Sequence, residues 1–252
     1  MDLAAWEIAA LIIAGIAGGF INVMAGGGSV ITVPVMIFLG VPGPIANGTN
    51  RIPILAHNIT AALTYLRHGL PQSGMLFSLA VCAIPGAVAG ALVGARLPAE
   101  TFNVLLAVVM AGVLVLMLTG TGRTDPLSST TISPRRRALG HLLMILAGFW
   151  GGFIQIGMGF VLLPILNRVL GMDLVAANIH KVLIILLYTV SALLVFGSEL
   201  ELLWWVGAVM AIGNALGGWM GARLTLAGGE QIIRVMVILA IAGMIVKLIW
   251  FT

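Results

Sequence analysis

Two basic residues and two glycine-rich stretches hold most of the chemistry in this sequence. Arg51 stands in Gly48-Thr49-Asn50-Arg51-Ile52-Pro53 and Lys181 in Asn178-Ile179-His180-Lys181. Each lies roughly one to two helical turns inside the start of a long apolar run. A cation at helix-centre depth in a bilayer costs about 2.5–3.5 kcal/mol on insertion scales. No carboxylate is near enough in sequence to offset that cost. All the acidic residues (Asp2, Glu7, Glu100, Asp125, Asp173, Glu199, Glu201 and Glu230) lie at or near segment boundaries. A negatively charged ligand would offset it, and snorkelling of the long side chains to the interface is the plainer alternative. A carrier of cations is expected to hold Asp or Glu in mid-membrane, so the sign favours anions.

The glycine stretches supply the second half of such a site. Asn22-Val23-Met24-Ala25-Gly26-Gly27-Gly28-Ser29 interrupts one apolar run, and Gln155-Ile156-Gly157-Met158-Gly159 interrupts another. A helix broken inside lipid exposes N–H and C=O groups that lipid cannot satisfy, so the break must be buried in protein or line a watery cavity. The N-terminus of the following half-helix offers free N–H donors and partial positive charge, a cradle for an anion. Ser29 is placed to cap that half-helix. Asn22, Asn47, Asn50, Asn58, Gln155 and Asn178 are able to donate to anionic oxygens, though helix–helix hydrogen bonds use such amides equally well. His57, six residues past Arg51, and His180, beside Lys181, are the candidates for proton coupling, since imidazole titrates near neutrality. The candidate substrate-binding set is therefore Asn22, Gly26, Gly27, Gly28, Ser29, Asn50, Arg51, Gln155, Gly157, Gly159, Asn178 and Lys181.

The elements that must position these groups follow from composition. Hydrophobic residues make up 61% of 252 and charged residues 8%, against about 25% charged in a soluble globular chain. So few charges cannot cover a water-facing surface. Lipid needs no such cover, and at roughly 20 apolar residues per crossing the length allows eight to ten membrane segments. This excludes a soluble enzyme, a nucleic-acid module and a disulfide-stapled secreted domain. The net charge of +4 fits basic loops under the positive-inside rule, not nucleic-acid binding. Cys82 is the single cysteine, so it closes no internal disulfide. The acidic N-terminus lacks the basic flank of a signal peptide, and the first apolar stretch is expected to stay as a membrane element.

Punctuating residues divide the chain into apolar runs at about 5–25, 30–39, 45–66, 74–95 and 102–119, then a polar stretch. The expected fold is an all-α polytopic membrane protein of two homologous repeats, 1–119 and 139–252, joined by a linker at 120–138, each with a glycine-broken first helix. Gly18-Gly19-Phe20-Ile21-Asn22 returns as Gly151-Gly152-Phe153-Ile154-Gln155, Pro34 as Pro164, and Ala46-Asn47 as Ala177-Asn178. Gly94-Ala95-Arg96-Leu97 returns unchanged as Gly221-Ala222-Arg223-Leu224. Matches kept in order indicate duplication. If the short run 30–39 crosses the bilayer, one side holds Arg67, Arg123, Arg135, Arg136, Arg137, Arg168, Arg223 and Arg234, and the other only Arg96 and Lys247. That split fits the charge rule and makes the repeats inverted, with both termini outside. Its ten to twelve residues argue the other way, being short of a full crossing at about 1.5 Å per residue.

The ladders Gly86, Gly90, Gly94 and Gly213, Gly217, Gly221 read as close helix packing, within one chain or between two. Trp204 and Trp205 read as interfacial anchors. No phosphate loop, dinucleotide fingerprint, His-Glu-x-x-His or paired-cysteine spacing is present, so no catalytic residue, cofactor or metal is expected and the chain reads as a non-enzyme.

The run from Gly18-Gly19 through Ala25-Gly26-Gly27-Gly28-Ser29 to Thr32 and Pro34 resembles the TauE/SafE family of sulfite exporters and sulfonate permeases. The likeness continues in Val41-Pro42, Ala46-Asn47-Gly48-Thr49-Asn50, Tyr65-Leu66-Arg67-His68-Gly69 and Gly151-Gly152 through Pro164, covering nearly the whole chain. Gly157-Met158-Gly159 departs from it, being shorter than the first glycine break and without its serine. The resemblance implies a multi-pass carrier of the bacterial inner (plasma) membrane for small sulfur-containing anions: sulfite, sulfonates or sulfoacetate-like compounds. Alternating access with proton coupling is the expected mechanism. The alternatives are a carrier of another anion, such as a carboxylate, and a non-transporting accessory subunit. The expected partners are the anion and membrane lipids, with no nucleic acid; a homo-oligomer is left open.

Overall fold

The computed structural model describes residues 3–69, 74–118 and 132–250, with side chains described throughout except at 113–118 and 228–250. Among the described residues the secondary structure is helical, without strands. In chain order the helices are α1 (Ala5–Met24), α2 (Ser29–Phe38), α3 (Gly43–Thr49), α4 (Arg51–Arg67), α5 (Gly74–Ala95), α6 (Ala99–Leu118), α7 (Pro134–Phe153), α8 (Met158–Pro164), α9 (Leu174–Glu199) and α10 (Trp204–Trp250). Three of them, α1, α5 and α9, are long and apolar enough to cross a membrane.

Local chemistry sets most of these boundaries. The Asp173 carboxylate accepts the Ala176 N–H at 2.8 Å and starts α9, a side-chain cap for donors that a first turn leaves unpaired. Ser133 accepts from the Arg136 N–H ahead of Pro134, which suits a first helical position because it has no N–H to waste. Pro164 cannot donate to the turn before it, and the helix widens into a π-turn over Ile165–Val169. Pro53 likewise leaves the carbonyl four residues back without its N–H, and the chain bends between α3 and α4 at Asn50.

The outside is apolar and the inside partly polar, the reverse of a water-soluble fold. Phe38, Phe77, Leu194, Ile13 and Ile212 face outward, while Arg51, Lys181, His57, Asn47, Asn50, Asn178 and Gln155 are buried. Lipid favours that arrangement, because an apolar surface is its natural solvent and polar groups need partners inside. Trp204 and Trp205 are exposed at the start of α10.

Two glycine-lined interfaces hold the helices together, both within one chain. α5 lies against α7, where a Cβ on Gly86 would meet the Ile145 carbonyl oxygen and one on Gly90 the Phe149 carbonyl oxygen. α10 lies against α1, where Gly213 faces the Ile12 carbonyl and Gly217 the Ile16 carbonyl. Gly148 and Gly152 answer from α7 against Ala83 and Ala87, and Gly15 and Gly19 answer from α1 against Met210 and Asn214. Backbones this close leave no room for a side chain.

α7 begins at Pro134, inside the stretch expected as a linker at 120–138, whose residues 120–131 lie outside the described part. After the second Gly-Ala-Arg-Leu the chain continues as one 47-residue helix. Pro98 follows the first copy and stops α5, whereas Thr225 follows the second and has an N–H to carry the helix on. The repeated Gly-Gly-Phe pairs also do not mark equivalent helix ends. Gly151-Gly152 sits in the last turn of α7, but Gly18-Gly19 lies one turn deeper in α1, which runs on to Met24.

Candidate functional site

The helix breaks lie at residues 25–28, between α1 and α2, and 154–157, between α7 and α8. They are four residues each, so the second is not the shorter. Gly26 turns the first with φ +81°, a left-handed conformation that costs other residues energy. Gln155 turns the second at φ +63° and is the only non-glycine with positive φ among the described residues. The two breaks touch: the Gly159 N–H donates to the Gly26 carbonyl at 3.2 Å, and a Cβ on either glycine would collide with the other's backbone. Gly159 itself lies in the first turn of α8, with Gly157 ahead of it in the left-handed region. The half-helices α2 and α8 therefore both start from one buried junction.

Each break leaves helix carbonyls with no N–H to accept, which in a buried place must find other donors. At the end of α7 every one is met. Arg51 donates from Nη1 to the Gly151 carbonyl and from Nη2 to the Gly152 carbonyl, the latter at 2.7 Å. Asn47 Nδ2 donates to the Phe153 carbonyl at 2.8 Å, and the Ile156 N–H to the Ile154 carbonyl at 2.7 Å. At the end of α1, Lys181 Nζ donates to the carbonyls of Asn22 (3.1 Å) and Val23 (2.9 Å). The caps are crossed: a cation from α4 closes α7, and a cation from α9 closes α1.

Neither cation snorkels, since both are 0% exposed. Their charge is met by the negative ends of two helix dipoles, an offset that is neither the bound anion nor the snorkelling considered from sequence. Arg51 also donates to Gln155 Oε1 at 2.8 Å and to Asn47 Oδ1 at 3.4 Å, and it stacks on the Phe196 ring at 5.1 Å. Tyr188 donates to the same Gln155 oxygen at 3.0 Å. Those two bonds hold Gln155 in its left-handed conformation. Sequence placed Arg51 inside a helix; it is in fact the first residue of α4.

The other predicted residues divide between this junction and its flanks. Asn22 accepts the Gly28 N–H at 3.0 Å and braces the first break. Ser29 does not cap α2: Gly28 holds that position, and the Ser29 hydroxyl oxygen instead accepts from Asn50 Nδ2 at 3.3 Å. Asn178 Nδ2 faces Tyr65 and Thr225, both at 3.3 Å. His57 is turned away from Arg51 toward α10. Asn214 Oδ1 can only accept, so the 3.0 Å contact puts a proton on His57 Nδ1, and Asn58 Nδ2 donates to Nε2 at 3.0 Å. That ring is held neutral with both nitrogens engaged. His180 donates from Nδ1 to the Ala176 carbonyl at 2.7 Å.

Sequence reasoning missed Tyr188, Tyr65, Asn214, Thr225 and the indole of Trp150, which donates to the Ile156 carbonyl at 3.0 Å. The signal was present for the tyrosines. The chain has only two, each inside an apolar run, and a buried phenol needs a partner. No carboxylate joins the junction among the described residues, and the Arg96–Glu199 ion pair, at 3.0 Å, is exposed. No group of three or more metal-ligating side chains is found among them either.

Known proteins resemble the chain along nearly its whole length. The family described as sulfite exporter TauE/SafE matches residues 11–248. A probable membrane transporter protein, ORF9, of Sinorhizobium sp is 28% identical over 98% of this chain and 94% of its own. A probable membrane transporter protein of Haemophilus influenzae is 26% identical over 99% and 97%. The probable membrane transporter protein YfcA of Escherichia coli K12 is 28% identical over 92% and 86%.

Proposed function

We propose, from the premise that the chain belongs to the TauE/SafE family and is a membrane transporter, that it carries small sulfur-containing anions, sulfite and sulfonates among them, by alternating access. The observation that carries this reading is the buried junction: two broken helices meet at Gly26 and Gly159, closed by two cations and no carboxylate. In this reading the anion sits at the positive end of α2, beside Ser29 and Asn50. Arg51 and Lys181 supply positive potential while their donors hold the helix ends. The charge matters more than direct contact, since low-dielectric surroundings leave it poorly screened.

The halves are read as inverted repeats that cross a bacterial inner membrane several times. Support comes from the crossed caps and from the two glycine interfaces, where the first helix of each half, α1 or α7, packs on a later helix of the other half, α10 or α5, with the same four-residue spacing. Rocking of one such pair against the other would open the junction to each side in turn.

The test is counterflow in proteoliposomes loaded with unlabelled anion and given labelled sulfite, isethionate or acetate. Counterflow of the sulfur anions above protein-free vesicles is expected. Counterflow of acetate alone moves the substrate to the carboxylates. Silence toward all three, with a protein that is folded by size exclusion, removes the carrier reading and leaves an accessory subunit.

A further inference from the structure

Arg51 and Lys181 perform the same capping task with different acid–base capacity. The Arg51 guanidinium uses Nη1 for two acceptors and Nη2 for two more. A guanidinium does not give up its proton in proteins. Lys181 uses two bonds, to the Asn22 and Val23 carbonyls, although an ammonium has three N–H groups. Removing one proton leaves a neutral amine with two N–H groups, enough to keep both carbonyls. The charge can thus leave this position without opening the cap.

The surroundings single out the same residue. Among the titratable groups on the packed elements, α4 carries His57 and Tyr65, and on α9 His180 precedes Lys181 with its ring bonded to the Ala176 carbonyl. α1 presents only carbonyls and the Asn22 amide. α5 carries no charged side chain over Gly74–Ala95, and the arginines and His141 of α7 lie in its first two turns. On α10, Asn214 and Thr225 are neutral, and Arg223 is exposed and stacked on Trp219 at 4.3 Å. His57 is held neutral by two amides, and protonating it would break its bond from Asn58. Lys181, by contrast, keeps both of its acceptors in either protonation state.

We propose that Lys181 is the proton-carrying group of the transport cycle, loaded with a proton together with the anion and emptied with it, while Arg51 remains a fixed charge. The step is balanced: on release one N–H bond of the ammonium breaks, its electron pair stays on Nζ, and the proton passes to water on the side where the anion leaves. Reloading reverses it. The proposal rests on the carrier reading above, and it assigns the coupling role expected for His57 or His180 to a different residue.

Proteoliposomes containing a trapped pH dye, driven by an inward gradient of isethionate or sulfite, report protons moved per anion moved. Isethionate stays ionised near neutrality, so its own titration does not disturb the count. The wild type is expected to acidify the lumen. The ratio should fall at least roughly tenfold in K181R, whose charge cannot leave, and stay within about twofold of wild type in H57Q and H180Q. Net isethionate uptake by the wild type without acidification overturns the proposal and leaves the carrier reading standing. So does a K181R ratio equal to wild type, or a lost ratio in either histidine variant. Should K181R fail to fold, the histidine variants still decide: one that uncouples refutes Lys181, and two that stay coupled support it. Absence of counterflow for every anion removes both readings together.

Discussion

The two helix breaks are alike in length and position but are built by different means. The first turns on Gly26 and is closed by Lys181 through two bonds. The second turns on Gln155, a residue poorly suited to positive φ, and is closed by Arg51 and Asn47 with Tyr188 behind them. Where glycine makes the turn without strain, a light cap suffices. Where a bulky residue must make it, a dense network holds it there. A break in a membrane helix is therefore not a glycine count; it is an account of which donors reach the stranded carbonyls.

That contrast can be broken at its heaviest point first. R51M leaves the Gly151 and Gly152 carbonyls without donors, each loss costing about 1–3 kcal/mol when buried, and leaves Gln155 Oε1 with Tyr188 alone. It is expected to yield little folded protein, measured as monodisperse recovery and thermal midpoint in detergent; a normal midpoint would show that the second break needs no cap. G159A comes next, since its Cβ would strike Ala25 and Gly26 backbone where the breaks meet. Overpacking of this kind costs typically about 1–3 kcal/mol, and lost counterflow with a lowered midpoint is expected.

K181M should destabilise less than R51M, because it gives up two hydrogen bonds where R51M gives up four. Equal losses would mean that the two caps are equivalent after all. Q155E sharpens the electrostatic side. It keeps both bonds to Gln155 Oε1 in place and pairs Arg51 with a negative charge, so stability should hold within about 1 kcal/mol while anion flux falls. Unchanged flux would remove the role of positive potential. Y188F is the smallest, one hydrogen bond worth about 0.5–1.5 kcal/mol, read as a shift in midpoint alone.

Much of the molecule was legible before any coordinates. Apolar runs located the helices well, α5 at Gly74–Ala95 being the clearest, and the glycine ladders announced close packing that the structure places inside one chain. The breaks were also readable, since a stretch such as Gly26-Gly27-Gly28 cannot sustain a helix without cost. Partnership was not. Arg51 lies a hundred residues from the carbonyls it caps, and no local pattern connects them. For the same reason Gln155 looked like a polar ligand and not like a strained turn, and His57 looked like a neighbour of Arg51 although α4 points it toward Asn214 on α10.

Composition and spacing alone determined that this chain lives in lipid and that its helices are interrupted. These follow from solvation and backbone hydrogen bonding, which act on each segment separately. Tertiary structure decided what the interruptions are for, because a stranded carbonyl and a buried cation satisfy each other only when folding brings distant segments within 3 Å or so of contact. The chain supplied two uncompensated charges and two sets of uncompensated dipoles. Only the crossing of the helices matched them.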